Sequence, residues 1–393
     1  MKVIFAVDAI FPPLTGIGRY AWELASRLAM SPQIENLRFL SMIRWAKSLD
    51  ELLPEAEAKT TPGPRRITRG ILTELRRELS SREWAVRGYS RFLQAWRGHL
   101  LRGYEDCLYH SPNYFLPPFP GKAVATIHDL SIYRFPSAHP AARRKLFDLE
   151  MAKTLARAGH IITDSDFVKR EVIDFFGWPE SKITAIPLGT AAAFQPRGET
   201  ETQAIISRYG LAWKSYVLCV STLEPRKKIP QLLKAHRALP EALRVRFPLV
   251  MVGATGWLDG DINASLEEGR RAGQVYPVGF VPETDLPYLY SGAQAFCYPS
   301  IYEGFGLPVL EAMACGVPVL AANRTSLPEV AEGAAWLVDP DDAEDMRDGL
   351  LNLLENEVWR TQAIQRGLAV ARAKNWDSCV ARTVATYQKV LKE

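Results

Sequence analysis

Residues 303–311 read Glu-Gly-Phe-Gly-Leu-Pro-Val-Leu-Glu, two glutamates seven residues apart around a Gly-Phe-Gly-Leu-Pro core. Upstream, residues 295–300 (Ala-Phe-Cys-Tyr-Pro-Ser) have the short apolar look of a buried strand. Downstream, residues 308–315 suit a helix with Pro308 at its first position and Gly316 past its end. Residues 318–322 (Pro-Val-Leu-Ala-Ala) suit another buried strand, so the motif occupies the turn of a β-α-β unit, where open α/β sheets place ligands. Gly304 and Gly306 let the backbone bend and bring N–H groups close to a ligand, and the first helical turn points unpaired donors the same way. That arrangement favours an anion. Glu303 and Glu311 flank it, and ionised carboxylates only accept hydrogen bonds, which suits sugar hydroxyls. A diphosphate with a ribose on one side and a hexose on the other, a nucleotide sugar, fits this pattern.

Working outward, residues 220–228 (Val-Ser-Thr-Leu-Glu-Pro-Arg-Lys-Lys) follow an apolar strand and end in three adjacent cations. Arg226 offers a fork and Lys227 a point charge, both suited to phosphate oxygens; a solvated basic turn is the plainer alternative. Residues 126–129 (Thr-Ile-His-Asp) close another strand, where His128 can donate or accept near neutral pH and Asp129 is available to orient it. Residues 15–19 (Thr-Gly-Ile-Gly-Arg) carry Gly16 and Gly18 in a turn spanning 12–20, without the third glycine and downstream acid of a dinucleotide fingerprint. The Asp259-Gly260-Asp261 triplet has the composition of a surface turn, so no metal is expected.

These residues together resemble the retaining glycosyltransferases of family 4, the mannosyltransferase-like group with the GT-B fold, and the likeness runs through most of the chain. The fold it implies is α/β, two Rossmann-like domains facing a central cleft. Under that resemblance Glu311 holds the ribose, while Glu303 with Gly304, Phe305, Gly306 and Leu307 holds the transferred sugar. Arg226 and Lys227, in a loop like the family's Thr-Leu-Glu-Pro-Arg-Lys beginning at Thr222, neutralise the leaving diphosphate. Gly253 and the Gly279-Phe280-Val281 turn read the base through backbone groups. His128 contacts the transferred sugar, and Gly16 and Gly18 face the cleft. Lys228 stands where relatives have Gly or Asn. The implied mechanism is front-face displacement with retention, its acceleration supplied by electrostatic stabilisation of the leaving group without a metal or any other cofactor. The ensemble of motifs looks closest to users of GDP-mannose or a GDP-deoxyhexose.

The chain has 393 residues, 47% hydrophobic and 23% charged, with a formal net charge of +4. This suffices for two ordinary globular domains. The first series of strands (3–7, 124–127, 161–163, 183–186) gives way to a polar Pro/Gly stretch near residues 194–201, and a second series begins at 216. The expected division is an acceptor domain over 1–195, a nucleotide-sugar domain over 196–375, and a closing helix, 376–393, that the resemblance returns to the first domain. Five scattered cysteines suggest neither a disulfide framework nor a metal site, and the opening residues suit a first strand better than a signal peptide. No stretch has the length of a membrane span, so a cytoplasmic protein is expected.

Residues 65–102 contain ten arginines against three glutamates, interleaved with Trp84, Tyr89, Phe92 and Trp96. This suits a basic amphipathic helix or pair lying on an anionic membrane surface, or a helix charged outward and apolar toward the core. Nucleic acid is not expected, since no recognition motif accompanies the charge. Membrane docking would imply a lipid-linked saccharide acceptor, as in O-antigen or exopolysaccharide assembly. The competing readings are a UDP-sugar-dependent transferase, a sugar-nucleotide epimerase or hydrolase of similar fold, and a non-catalytic nucleotide-sugar-binding protein.

Overall fold

The computed structural model describes residues 1–11, 14, 16–52, 83–138, 141–253 and 260–393. Residues 65–82 of the basic segment, Asp259 of the Asp-x-Asp triplet and Thr15 of the first glycine turn lie outside the described residues. The chain divides into two compact units. The first comprises 1–164, 168–186 and 379–393, and the second 165–167 and 187–378.

The first unit is built on a sheet of seven strands: β1 (Lys2–Ala6), β2 (Asn36–Leu40), β3 (Trp45–Ala46), β4 (Leu108–Ser111), β5 (Lys122–Ile127), β6 (His160–Thr163) and β7 (Ile183–Ala185). Their order is β3-β2-β1-β4-β5-β6-β7, parallel except for β3 at the edge. Val3 to Ala6 and all of β4 and β6 are buried, as parallel strands covered on both faces require. One core cluster includes Ile4, Leu40, Leu101, Tyr109 and Ala125. The order reverses between β1 and β4, which makes the space beyond the carboxyl ends of these two strands the switch point of the sheet.

The second unit repeats the plan with six parallel strands: β8 (Val217–Val220), β9 (Leu249–Val252), β10 (Val275–Gly279), β11 (Ala295–Tyr298), β12 (Val319–Ala322) and β13 (Ala335–Val338). The order β10-β9-β8-β11-β12-β13 puts its switch point between β8 and β11. Val217, Leu232, Leu249, Leu320 and Leu350 are completely buried in its core. The two sheets bear out the Rossmann-like expectation, and the five cysteines are buried free thiols.

Helices that position the residues of interest are α1 (Gly16–Leu28), α2 (Glu83–Leu100), α3 (Ala141–Arg157), α4 (Leu286–Gly292), α5 (Leu307–Ala314) and α6 (Trp376–Lys392). The glycine turn expected over 12–20 is largely helical: α1 starts at Gly16, so Gly16 and Gly18 sit in its first turn. The helix wins because Tyr20, Ala21, Leu24, Ala25 and Leu28 fall on one buried face, and that packing outweighs the poor helix propensity of two glycines. Residues 379–393, which hold most of α6, belong to the first unit, where Tyr387 Oη lies 2.5 Å from His110 Nδ1 on β4.

Candidate functional site

The loop after β8 and the loop after β11 meet at the switch point of the second sheet. Backbone stitches them together: Ile301 N–H donates to the Arg226 carbonyl at 2.9 Å. Residues 225–227 form one tight helical turn, and Lys228 then takes a left-handed conformation with φ of 51°. The Arg226 guanidinium donates to the Tyr302 carbonyl at 2.8 Å, to Glu303 at 3.2 Å and to Glu224 at 2.9 Å. The Lys227 ammonium donates to the Tyr298 hydroxyl at 2.8 Å and to the Glu303 carboxylate. Two cations and two carboxylates therefore form one compact cluster. Lys228 pairs instead with Asp341 at 2.5 Å, which separates it from Arg226 and Lys227, the pair expected from the sequence to meet the diphosphate.

Burial would push the Glu303 carboxyl upward, but Lys227 and Arg226 outweigh it and hold the group down at about 2. Lys227 is 5% exposed, and its burial together with the neighbouring Arg226 charge lowers its ammonium pKa against the opposing pull of Glu303. Burial opposes the charge of Arg226 too, yet Glu303 and Glu224 raise it. The cluster is thus a partly buried ionic lattice, costly to empty of charge and able to trade one carboxylate for a phosphate oxygen. Because the folded Glu303 carboxyl titrates below its ordinary value of 4.5, its stabilisation is complete above pH 4.5 and disappears as pH falls toward 2. The unfolding midpoint in urea is expected to fall more steeply over that window in the natural chain than in Glu303→Gln; parallel curves would refute the ionised assignment.

Past Glu303 the loop is pinned from behind. The Ser326 hydroxyl lies 2.9 Å from the Glu303 carbonyl and 2.8 Å from that of Phe305, and Glu303 N–H donates to Thr325 Oγ1 at 3.2 Å. Gly306 precedes α5 with φ of 109°, a conformation that side chains avoid, and a Cβ there would also press on the tip of Leu327 at 2.6 Å, so the backbone state itself calls for glycine. Gly304 shows no left-handed conformation; of the two glycines expected to bend the chain, only Gly306 uses a backbone state closed to other residues. Phe305 is buried, and Leu307 is the first residue of α5. Glu311, one turn into α5, is buried and accepts from the Tyr290 hydroxyl of α4 at 3.0 Å. Tyr290, Phe296 and Tyr298 stand in ring contact at 5.2 and 6.0 Å, a rigid aromatic row connecting the partner of Glu311 to the partner of Lys227.

Two further strand ends, those of β9 and β10, meet the loop after β8. Gly253 N–H donates to the Gly279 carbonyl at 2.8 Å, and a Cβ at Gly253 would lie 2.0 Å from the Ser221 carbonyl oxygen. The loops after β8, β9 and β10 are therefore packed backbone to backbone. Thr222 is exposed and donates to Glu224 at 2.8 Å; Phe280 is 66% exposed, and Val281 is buried.

In the first unit, His128 is buried at the end of β5, with Nδ1 2.7 Å from Asp164 and Nε2 2.7 Å from the Pro112 carbonyl. Both ring nitrogens face acceptors, which calls for an imidazolium; burial opposes that charge, and Asp164 raises the pKa above its ordinary value. The expected orienting partner, Asp129, is occupied otherwise and accepts from Ser131 N–H at 2.8 Å. Asp164 takes its place because β6 lies beside β5 in the sheet. Gly16 and Gly18 also belong to this unit. The Asp-x-Asp spacing recurs at 164–166 and 339–341, where Asp164 pairs with His128 and Asp339 with Arg324. Sequence reading passed over Tyr298, Tyr290, Thr325, Ser326 and Glu224. Only Glu224, inside the cationic loop, carried a local signal.

Two family models match the chain: Glycosyltransferase Family 4 over residues 14–193 and Glycosyl transferases group 1 over 208–369. The chain is 41% identical over 388 residues to the O-antigen chain mannosyltransferase B of Escherichia coli, covering 99% of this chain and 100% of that protein. Its fold is similar to Anabaena Alr3699/HepE in complex with UDP and glucose, with a TM-score of 0.69 at 16% identity over 99% of this chain and 100% of that one. It is also similar to WaaG, a glycosyltransferase involved in lipopolysaccharide biosynthesis, with a TM-score of 0.68 at 17% identity over 97% and 98% of the two chains. With two Rossmann-like units, a charge cluster at the second switch point and likeness along its whole length, the chain belongs to the family 4 glycosyltransferases of GT-B fold.

Proposed function

We propose that this glycosyltransferase is a retaining mannosyltransferase that moves mannose, or a related deoxyhexose, from a GDP-linked donor to a saccharide acceptor in O-antigen assembly. The observation that carries the reading is the convergence of Arg226, Lys227 and Glu303 beside the Gly306 turn. The likeness to O-antigen chain mannosyltransferase B adds the choice of sugar. In this reading the donor diphosphate takes over the two cations, while Glu303 turns to the hydroxyls of the sugar and Glu311 to the ribose. The bond from the anomeric carbon to the diphosphate breaks, and the acceptor oxygen bonds to that carbon on the same face. The hydroxyl proton passes to the departing phosphate oxygen. Fixed cations stabilise the charge that develops there, so no metal or other cofactor takes part.

Transfer from GDP-mannose to a mannose-terminated acceptor, followed by mass spectrometry with and without a chelator, tests this directly. Product with an α-anomeric centre and undiminished yield in chelator are expected; inverted product or loss of activity in chelator would refute it. A UDP-linked donor is the second reading, favoured by the UDP and glucose bound in the structurally similar Alr3699/HepE. Competition of GDP against UDP decides between the two.

The same proposal places the enzyme at the cytoplasmic face of a membrane with a lipid-linked acceptor. No helix among the described residues is long and apolar enough to cross a membrane. On α2, however, Phe92 is 63% exposed and stacks on Trp96 at 6.5 Å, beside the 57% exposed Ile43 and near the exposed Arg91. Aromatic and cationic groups presented together suit a headgroup boundary. Sedimentation with anionic vesicles, lost in Phe92→Ser/Trp96→Ser, is expected; equal sedimentation with neutral vesicles would remove the charge argument.

A further inference from the structure

The carbonyls of the glycine loop are held by protein groups one after another. That of Tyr302 accepts from the Arg226 guanidinium at 2.8 Å, and those of Glu303 and Phe305 lie 2.9 and 2.8 Å from the Ser326 hydroxyl. The carbonyl between them, that of Gly304, accepts at 2.7 Å from the hydroxyl of Ser165, a residue 139 positions earlier in the chain. Residues 165–167 count with the second unit, although β6 just before them belongs to the first.

Ser165 is completely buried, as is Ser326. The two residues after Ser165 hold it in place. Asp166 N–H and Phe167 N–H donate to the two carboxylate oxygens of Glu329 at 2.8 and 3.1 Å, and the Phe167 ring meets that of Tyr302 edge-on at 6.1 Å. Glu329 stands one helical turn after Ser326, so the short segment 326–329 supports both hydroxyls that grip the loop.

A planar trans peptide points its N–H opposite to its C=O. Fixing the carbonyls of Glu303, Gly304 and Phe305 therefore fixes the direction of the N–H groups of Gly304, Phe305 and Gly306. Among the described residues no group accepts from any of these three, and a backbone donor calls for a partner. The middle peptide is the one that Ser165 holds. Were it to rotate, the loop would present a carbonyl where it now presents the Phe305 N–H. Phe305 also lies two residues from Glu303, whose carboxylate repels a phosphate and suits hydroxyls, so a sugar oxygen fits this donor better than the diphosphate does. We infer that Ser165 is a positioning residue for the donor: its hydroxyl locks the Gly304–Phe305 peptide so that the Phe305 N–H is presented to the transferred sugar. The inference rests on the proposed reading in which this loop holds that sugar.

Calorimetric titration of the full chain with two pairs of probes, GDP-mannose with GDP and UDP-glucose with UDP, tests it. In Ser165→Ala each nucleotide sugar that the natural chain binds is expected to weaken at least about fivefold, the worth of one hydrogen bond, while the matching bare nucleotide stays within about twofold. Ser165→Cys keeps the volume but offers only a weak donor, and it is expected to lose affinity as Ser165→Ala does. Should Ser165→Ala fail to fold, Ser165→Cys decides alone. Unchanged sugar-nucleotide affinity, a loss shared equally by the bare nucleotide, or full affinity in Ser165→Cys would each overturn the inference while leaving the donor reading intact. A natural chain that binds neither pair would instead remove the donor reading, and the inference with it.

Discussion

Lys227→Ala is expected to lower the turnover of sugar transfer about a hundredfold or more, the size of effect seen when one positioned electrostatic group is removed from a developing charge. The structure adds something that the bare motif does not contain. Lys227 is buried and bonded to both Glu303 and Tyr298, so the substitution also removes half of a buried ion pair. Glu303 keeps Arg226 at 3.2 Å, which limits the stability loss to about 3 kcal/mol, the lower end of the cost of breaking such a pair. Lys227→Met, which retains the aliphatic stem, separates the two effects. Its urea midpoint should recover part of the loss, whereas its turnover should remain as low as that of the alanine variant. Turnover within threefold of the natural chain in either variant would exclude Lys227 from stabilising the leaving group.

Gly253→Ala is expected to be the most damaging single methyl addition in the second unit. The new Cβ would lie 2.0 Å from the Ser221 carbonyl oxygen, and φ of 141° is a conformation that side chains avoid. Backbone on both sides of the clash belongs to the packed ends of β8 and β9, so neither partner can swing aside. Strain and overpacking each cost about 1–3 kcal/mol in ordinary cases, and here they act together, for a loss of at least about 3 kcal/mol. Gly198→Ala, at a glycine with φ of −79° and nothing within 4 Å of the new Cβ, should cost about 1 kcal/mol or less in stability. Thermal unfolding of the two variants checks the contrast. A stable Gly253→Ala with impaired nucleotide binding would mean instead that this glycine serves a ligand approaching the backbone.

Much of the fold was legible because its signals are local. The strands at 3–7, 216–220 and 249–252 are unbroken apolar runs, and burial on both faces of a parallel sheet demands that composition. Four strands escaped notice. β2 contains Asn36 and Arg38, β3 is only two residues long, β13 is only partly buried, and β4 reads Leu-Tyr-His-Ser. The last is buried throughout because His110 finds Thr126 at 2.9 Å and Tyr387 at 2.5 Å; burial pushes its imidazole down to about 3, keeping it neutral. No window of neighbouring residues contains those partners.

From the chain alone came the two-fold repetition of strand and helix, the glycine turn before α5, and the chemical types gathered in the loops after β8 and β11. These follow from side-chain size, periodicity and charge over a few adjacent positions, which local sterics and hydrophobic burial translate into structure. Tertiary structure decided which groups meet: Lys227 with Glu303 across 76 residues, and His128 with Asp164 and not with its neighbour Asp129. Such pairings depend on strand order and on which loops emerge side by side at a switch point. Those are properties of the assembled sheet, and each pairing exists only once burial has removed water as the competing partner.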